Sequence, residues 1–372
     1  MKTTIEKYND SLKRINAAVA LEKADRTPVV LMGDAFFANQ LGVKLSEFCI
    51  SSELSNQTQL KGVLSLGEVD GIEMPHMNVN VFPAAWLANI KIPGRDLKEG
   101  TLWQMDEKEL MKVEDYDTII EKGWNYFFVD YAINRLSTPE NNLLEKLQSI
   151  GKFTPKAIKN YKDAGIVTFS PLGTGIPFES FTGGRSMVKF SRDLFKIPDK
   201  VQAAMDAAMP ELLEGLRQQI RAVKPYGVWF NGMRGASEFM SRKIWERFVW
   251  PYTKKLAKTI IEEGAICYFH MDANWERDLE FFRSLPKGKC VFGTDHATDI
   301  YKIKEILGDH MCIMGDVPAA MLAIGTSDEV YDYSTKLIKD MGNGFILSQG
   351  CDIPPNAKLE NVKAMVAAAS GK

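Results

Sequence analysis

Two short stretches carry the residue types best suited to chemistry. CYFHMD, residues 267–272, ends an apolar run that begins at Ala265, and SQGCDIPP places Cys351 just beyond a second apolar run at 344–347. His270 and Asp272 are two residues apart, so an extended backbone turns both to one face. An imidazole nitrogen, a carboxylate oxygen and a thiolate sulfur form a donor set that zinc accepts. Three protein ligands leave a position free for substrate, as in catalytic zinc sites. His270, Asp272 and Cys351 are therefore the expected metal ligands, with one Zn2+ per chain. They are far apart in sequence, so only a fold that gathers strand ends can bring them together.

The hydrophobic pattern predicts such a fold. Short, nearly all-apolar strands fit residues 28–32, 71–74, 166–170, 226–230, 265–270, 289–293, 311–315 and 344–348. Helical periodicity fills 36–66, 117–162, 187–222, 240–263, 275–284, 299–308, 318–341 and 357–369. Apolar strands alternating with helices are the signature of a parallel sheet covered on its outer face. Eight such units predict an α/β fold closed into a (β/α)8 TIM barrel. No low-complexity linker divides the chain, so residues 1–372 are expected to form one domain. Residues 1–25 would be an N-terminal helical extension, and 79–106, with its Pro-Gly turn, a β-hairpin insertion.

Reacting groups in such barrels sit at the C-terminal strand ends. The corresponding phrases are MGDAFF, MPHMN, SPLGTG, FNGMRG, HMDAN, GTDHATD, GDVP and SQGCDIPP. They nominate Asp295, Arg234, Asn231 and His76 as catalytic residues. Asp295 could orient a metal-bound histidine or cap the helix beginning near Asp299, and both readings stay open. Met74, Phe178, Glu179, Arg185, Trp229 and Met233 would contact substrate, the apolar ones by lining a pocket and Arg185 by meeting an anionic group. His296 and Asp316 are further rim candidates. Cys49, Cys267, Cys290 and Cys312 are expected to be structural fillers.

Composition sets outer bounds. A net charge of −2 offers no basic field for nucleic acid or anionic lipid. No apolar run approaches the roughly 20 residues that span a bilayer. The charged start MKTTIEKYNDSLKRI lacks the apolar core of a secretory signal. Five cysteines, an odd number in a long chain, do not suggest a disulfide framework. A cytoplasmic enzyme with reduced thiols, free or as a homodimer, is the expectation.

Three segments carry a family resemblance. KRINAAVALEKADRTPV, SRKIWERFVWPYTKKLAKTIIEEGAICYFHMD and GFILSQGCDIPPNAKLENVKAM resemble the uroporphyrinogen decarboxylase superfamily, and within it the corrinoid-dependent methyltransferases. Two departures set the chain apart from true decarboxylases. Their arginine-rich Arg-Gln-Ala-Gly-Arg loop after the first strand is here LMGDAFF, with Asp34, and their Gly-His-Gly near the last strand is here GCD. In the methyltransferase branch the zinc ligands are a His-x-Cys and a later Cys. His270 and Cys351 match two of these, and Asp272 stands where the third would be cysteine. Exchanging soft sulfur for hard oxygen leaves a bound zinc more electrophilic, which suits an oxygen ligand better than a thiolate nucleophile.

The resemblance thus implies transfer of a methyl group from a small methoxylated or otherwise methylated molecule to the cobalt of a separate corrinoid protein. No corrinoid-binding Asp-x-His-x-x-Gly pattern occurs in the chain, so the corrinoid would come with the partner. The alternatives are methyl transfer from a corrinoid to a thiol, decarboxylation of a small acid, and a non-catalytic barrel that binds a corrinoid protein.

Overall fold

A computed structural model describes residues 2–138 and 141–371. Met1, residues 139–140 and Lys372 fall within the expected domain, and the first three within expected helical stretches; all four lie outside the described residues. The chain folds as the α/β barrel that its pattern predicts. Parallel strands β1 (Val30–Leu31) and β2 (Gly71–Ile72) lead in chain order to the short antiparallel ribbon β3 (Ile90–Lys91) and β4 (Gln104–Met105). Then come β5 (Val167–Thr168), β6 (Leu172–Thr174), β7 (Gly227–Gly232), β8 (Ile266–Met271), β9 (Cys290–Thr294), β10 (Cys312–Val317) and β11 (Phe345–Gln349).

The hydrogen-bonded order is β1-β2-β5 and β6-β7-β8-β9-β10-β11, all parallel. β5 and β6 are two pieces of the third barrel strand, interrupted at Pro171, which has no N–H to give to a ladder. The first piece pairs with β2 and the second with β7. On the other side a parallel bridge joins Val29 to Leu347, and the Leu347 N–H donates to the Pro28 carbonyl at 2.9 Å. The ring is thereby complete.

Strand parity sorts the core into two layers. Val30, Val167, Phe169, Tyr268, Val291, Cys312, Met314 and Ile346 form the interior cluster. Their neighbours, such as Val228, Phe230, Cys267, Phe269, Phe292, Phe345 and Leu347, pack outward against the helices. Cys49, Cys267, Cys290 and Cys312 are all buried, as expected of fillers.

The N-terminal helix, Thr4–Val19, is not a loose appendage. Its Ile15, Ala18 and Val19 join the interior cluster, so the helix closes the N-terminal end of the barrel. Arg14 and Arg26 reinforce that closure by converging on Asp70.

Elsewhere the elements depart from the pattern. The expected hairpin insertion begins with helical turns, Val79–Val81 and Phe82–Trp86, and only then forms its ribbon. A helix at Pro177–Arg185 was not predicted, because Gly183 and Gly184 lower helix propensity. There a Cβ on Gly183 would come within 2.0 Å of the Trp86 carbonyl oxygen, so glycine permits close packing against the insertion. No helix among the described residues is long and apolar enough to cross a membrane.

Candidate metal centre

β8 ends in the anchor. Tyr268, His270 and Asp272 share the inward parity, and Cys351 lies two residues past β11 on the same rim. One donor atom each from His270, Asp272 and Cys351 fall within 4.8 Å of one another. His270 is buried, while Asp272 and Cys351 are half-buried and open the cluster toward solvent.

The histidine is oriented from both sides. Its Nδ1 lies 3.1 Å from the Tyr268 hydroxyl and 3.4 Å from Glu73 Oε2, and its Nε2 lies 3.5 Å from Asp272 Oδ1. Trp229 packs against the ring with centroids 4.9 Å apart. With the proton on Nδ1 facing Glu73, the Nε2 lone pair faces Asp272 and Cys351. A carboxylate behind a ligating histidine fixes its tautomer and raises its basicity.

The electrostatics suit a bound cation. Burial opposes the imidazolium, yet Tyr268, Asp272, Cys351 and Glu73 around the ring outweigh it and hold the His270 pKa above its usual value. Burial pushes the Cys351 thiol up to about 11 even with His270 pulling it down. Such a thiol becomes a thiolate at neutral pH only beside a cation, as metal binding provides. Asp272 Oδ1 is buried with no hydrogen-bond donor. A nitrogen, an oxygen and a sulfur with an unsatisfied carboxylate oxygen are a donor set that zinc would complete.

Other nominated residues take distinct places. Asn231 is buried on β7 with its Oδ1 unpartnered. Asp295 accepts the Ala273 and Ala297 N–H groups, each at 2.9 Å, so it ties the turn after β8 to its own loop. Burial, with Asp272 adding to it, raises its pKa. The helix cap falls instead to Asp299, which accepts from the Tyr301 N–H. His296 turns to Asp316, with Nδ1 2.8 Å from Oδ2, and the Tyr333 hydroxyl donates to the other oxygen at 2.8 Å.

Several expectations of substrate contact give way to packing or positioning roles. Arg185 is buried in ion pairs with Asp193 and Glu109. Phe178 is buried edge-on against Phe190. Glu179 is a buried carboxylate that accepts the N–H groups of Met233, Arg234 and Gly235 at 3.1, 3.0 and 2.9 Å. It therefore shapes the loop after β7 from a buried position. Arg234 is bonded to Glu107 and to the sulfur of Met105, docking the insertion on the rim. His76 contacts Thr154 of helix Leu143–Asp163 at 3.0 Å, and burial lowers its pKa to about 4. Met74 and Trp229 remain half-buried.

Residues that were not nominated complete the site. Glu73 follows β2, Gln349 ends β11, and Asp34 and Asp352 follow β1 and β11. Gln349 donates to Glu73 Oε1 at 3.4 Å, and Gln59 to Asp34 Oδ1 at 2.6 Å. Asp34 and Glu73 both stand at strand ends in the sequence, which is the signal that could have found them.

Fold and rim together define a class: an α/β-barrel protein with a His-Asp-Cys cluster at the C-terminal ends of its strands. The family model "Uroporphyrinogen decarboxylase (URO-D)" matches residues 143–371, and the chain belongs to that family of enzymes. It is 24% identical over 327 residues to a uroporphyrinogen decarboxylase of Helicobacter pylori (strain Shi470), covering 86% of this chain and 85% of the relative. It is also 24% identical over 360 residues to one of Geobacter metallireducens, covering 92% and 93%. Among solved structures, a methyltransferase from Methanosarcina mazei shares the fold with a TM-score of 0.70 at 17% identity, over 100% of this chain and 99% of that one.

Proposed function

We propose that this protein is a zinc-dependent methyltransferase that moves a methyl group from a small methylated molecule to the cobalt of a separate corrinoid protein. The convergence of His270, Asp272 and Cys351 at the rim carries the reading. His270 Nε2, an Asp272 oxygen and Cys351 Sγ would hold the metal. Zinc bound there supplies Lewis-acid polarisation of a methyl-bearing heteroatom.

The chain's own groups do the rest. Glu73 and Tyr268 hold the His270 ring in one orientation. Trp229 covers its face and keeps water from that side. Glu179 pins the loop after β7 and so fixes Met233 and Arg234 at the mouth. The half-exposed rim at Asp272 and Cys351 is where a partner's corrinoid would approach.

Decarboxylation of a small acid is the second reading, favoured by the names of the relatives. Against it stands Arg185, nominated for the rim but committed to Asp193 and Glu109; Arg234 bonds Glu107 through Nη2 and keeps its Nη1 without a partner. The deciding experiment is the metal content of the purified protein and of His270→Ala and Cys351→Ala, read with methyl transfer to cob(I)alamin. About one zinc per chain is expected in the wild type, with zinc and transfer both lost in the variants. A wild type that is metal-free and takes up no added zinc overturns the reading.

A further inference from the structure

The ribbon insertion and the chain before helix Leu143–Asp163 enclose a cavity of about 290 Å3, close to the lower bound of roughly 300 Å3 for pockets that hold small ligands. It lies on the catalytic face. Val79 and Asn80 come after the C-terminal end of β2, and helix Leu143–Asp163 runs back toward the start of β5, so Asn141 precedes it on that same side. Arg234, after β7, holds the insertion to the rim through Glu107 and Met105.

Two carboxamides in the cavity have hydrogen-bonding capacity that the chain does not use. Asn80 and Asn141 are 8% and 9% exposed, and both line it. Asn141 gives an amide N–H to the Asn80 main-chain carbonyl at 3.4 Å, and its Oδ1 is buried without a donor. Asn80 is bonded through its main chain alone, the N–H to Asn78 Oδ1 and the carbonyl to Asn141, and its side-chain amide makes no hydrogen bond to another described residue. A buried acceptor without a donor is destabilising, and folded chains keep few of them. The charges, by contrast, are paired. Lys91 and Lys108 hold Asp106 at 3.3 and 2.8 Å, and Arg95 holds Asp96 at 2.7 Å. A charged ligand would have to break one of these pairs, whereas a neutral one leaves them in place. Ile90, Ile92 and Leu136, all buried, make an apolar wall for its body.

We propose that this cavity binds a primary carboxamide carried on an apolar body. The ligand's NH2 donates to Asn141 Oδ1, its carbonyl accepts from the Asn80 amide, and its body lies against Ile90 and Ile92. The site shares no residue with the cluster that would hold the metal. Two sources could supply the group. One is a free amide. The other rests on the methyltransferase reading: the edge of a corrin ring bears carboxamide arms, and a corrinoid partner would approach this face.

Benzamide is the probe, titrated calorimetrically into the whole protein beside benzoate and acetophenone, which keep its shape and lack its NH2. Benzamide is expected to bind about tenfold more tightly than either, the effect of one buried hydrogen-bonding group. In methyl-labelled protein its ring should give nuclear Overhauser contacts to Ile90 and Ile92. Asn80→Asp, which keeps the size of the side chain, and Asn141→Leu, which removes the acceptor, should each weaken binding about tenfold with zinc content unchanged. Benzamide no tighter than acetophenone, no binding up to about 10 mM, contacts to other methyl groups only, or wild-type affinity in both variants would overturn the proposal. Competition then separates the sources. Displacement of benzamide by hydroxocobalamin, but not by cobyrinic acid with its carboxylate arms, upholds the site as one for the partner's corrinoid. Benzamide held against both upholds it for a free amide, and equal displacement by both overturns the carboxamide assignment. Benzamide binding in a chain that loads no zinc upholds the cavity while the metal reading fails. Zinc loading without benzamide binding does the reverse.

Discussion

A buried carboxylate lies at each end of strand β2, and the two are treated in opposite ways. Asp70, before the strand, is wholly buried; its oxygens receive Arg14 at 3.1 Å, Arg26 at 2.6 and 3.0 Å, and the Val29 N–H at 2.9 Å. Glu73, after the strand, is almost as buried and has no lysine or arginine partner among the described residues; it faces the His270 ring, Tyr268 and the Gln349 amide. The first end is satisfied from within and closes the barrel. The second turns its carboxylate to the ring of His270, behind the residues that would hold a metal.

The largest expected effect breaks the closed end. Asp70→Ala would leave the Arg14 and Arg26 guanidinium groups, both mostly buried, without their shared partner. Removing one side of such a network costs about 3–5 kcal/mol, to be read as a lower urea midpoint. Asp70→Ala with an unchanged midpoint would mean that the two ends do not differ as described.

The open end should show itself in pH dependence. Burial, with Glu73 adding to it, pushes the Asp34 pKa up to about 7 from an ordinary 3.8. Between about pH 4 and pH 7 the unfolded chain has released this proton and the folded chain has kept it. Stability therefore falls as pH rises through that window, by an amount on the order of a few kcal/mol. Asp34→Asn should remove this slope, measured as the difference in urea midpoints between variant and wild type from pH 4.5 to 7.5. His76 works the other way. Its folded pKa is lowered to about 4 by burial, so its contribution is lost as pH falls below 6.5. A variant that tracks the wild type at every pH would place Asp34 in a solvated setting.

A smaller effect separates stability from function at Glu73. Glu73→Gln keeps the size of the side chain and a hydrogen-bond acceptor beside His270, so the urea midpoint should change little. Zinc affinity should nevertheless fall about 10–100-fold, the usual cost of losing a carboxylate behind a ligating histidine. Competition with a chelator measures the affinity. A variant with weaker folding and unaltered zinc affinity would make Glu73 structural.

How much of this was legible beforehand follows from the range of each interaction. His270 and Asp272 could be read from parity on one strand, and Cys351 from its place after the last apolar run, because both depend on residues a few positions apart. The pairing of Glu73 with His270 could not, since it joins β2 to β8 across the barrel and nothing near Glu73 announces a partner. The role of Arg185 was misread for the same reason: its partners Asp193 and Glu109 lie on separate elements, and a lone arginine in a polar phrase looks free. The break at Pro171 was visible in principle, as proline cannot serve a ladder. The helix at Pro177–Arg185 was hidden by glycines that let it pack closely on distant residues, Gly183 on Trp86 and Gly184 on Leu87 and Met111. The N-terminal helix was recognised as a helix, but not as the closure of the barrel, which depends on side chains meeting strands from both ends of the chain.

The smallest expected effect asks whether position or burial makes the closed end strong. Arg221 and Glu263 also sit near the N-terminal rim, at the ends of helices Pro198–Val223 and Trp250–Glu262, and bond at 2.6 and 2.7 Å. The geometry resembles the pairs at Asp70, but Arg221 is 62% exposed. Water already solvates that guanidinium, and holding two long side chains together costs entropy, so such pairs contribute little. Arg221→Ala should leave the urea midpoint unchanged within error, and the addition of salt should make no difference to that result. A clear loss of stability would mean that placement at the closed end matters in itself. The contrast between Asp70 and Glu73 would then be one of location and not of burial.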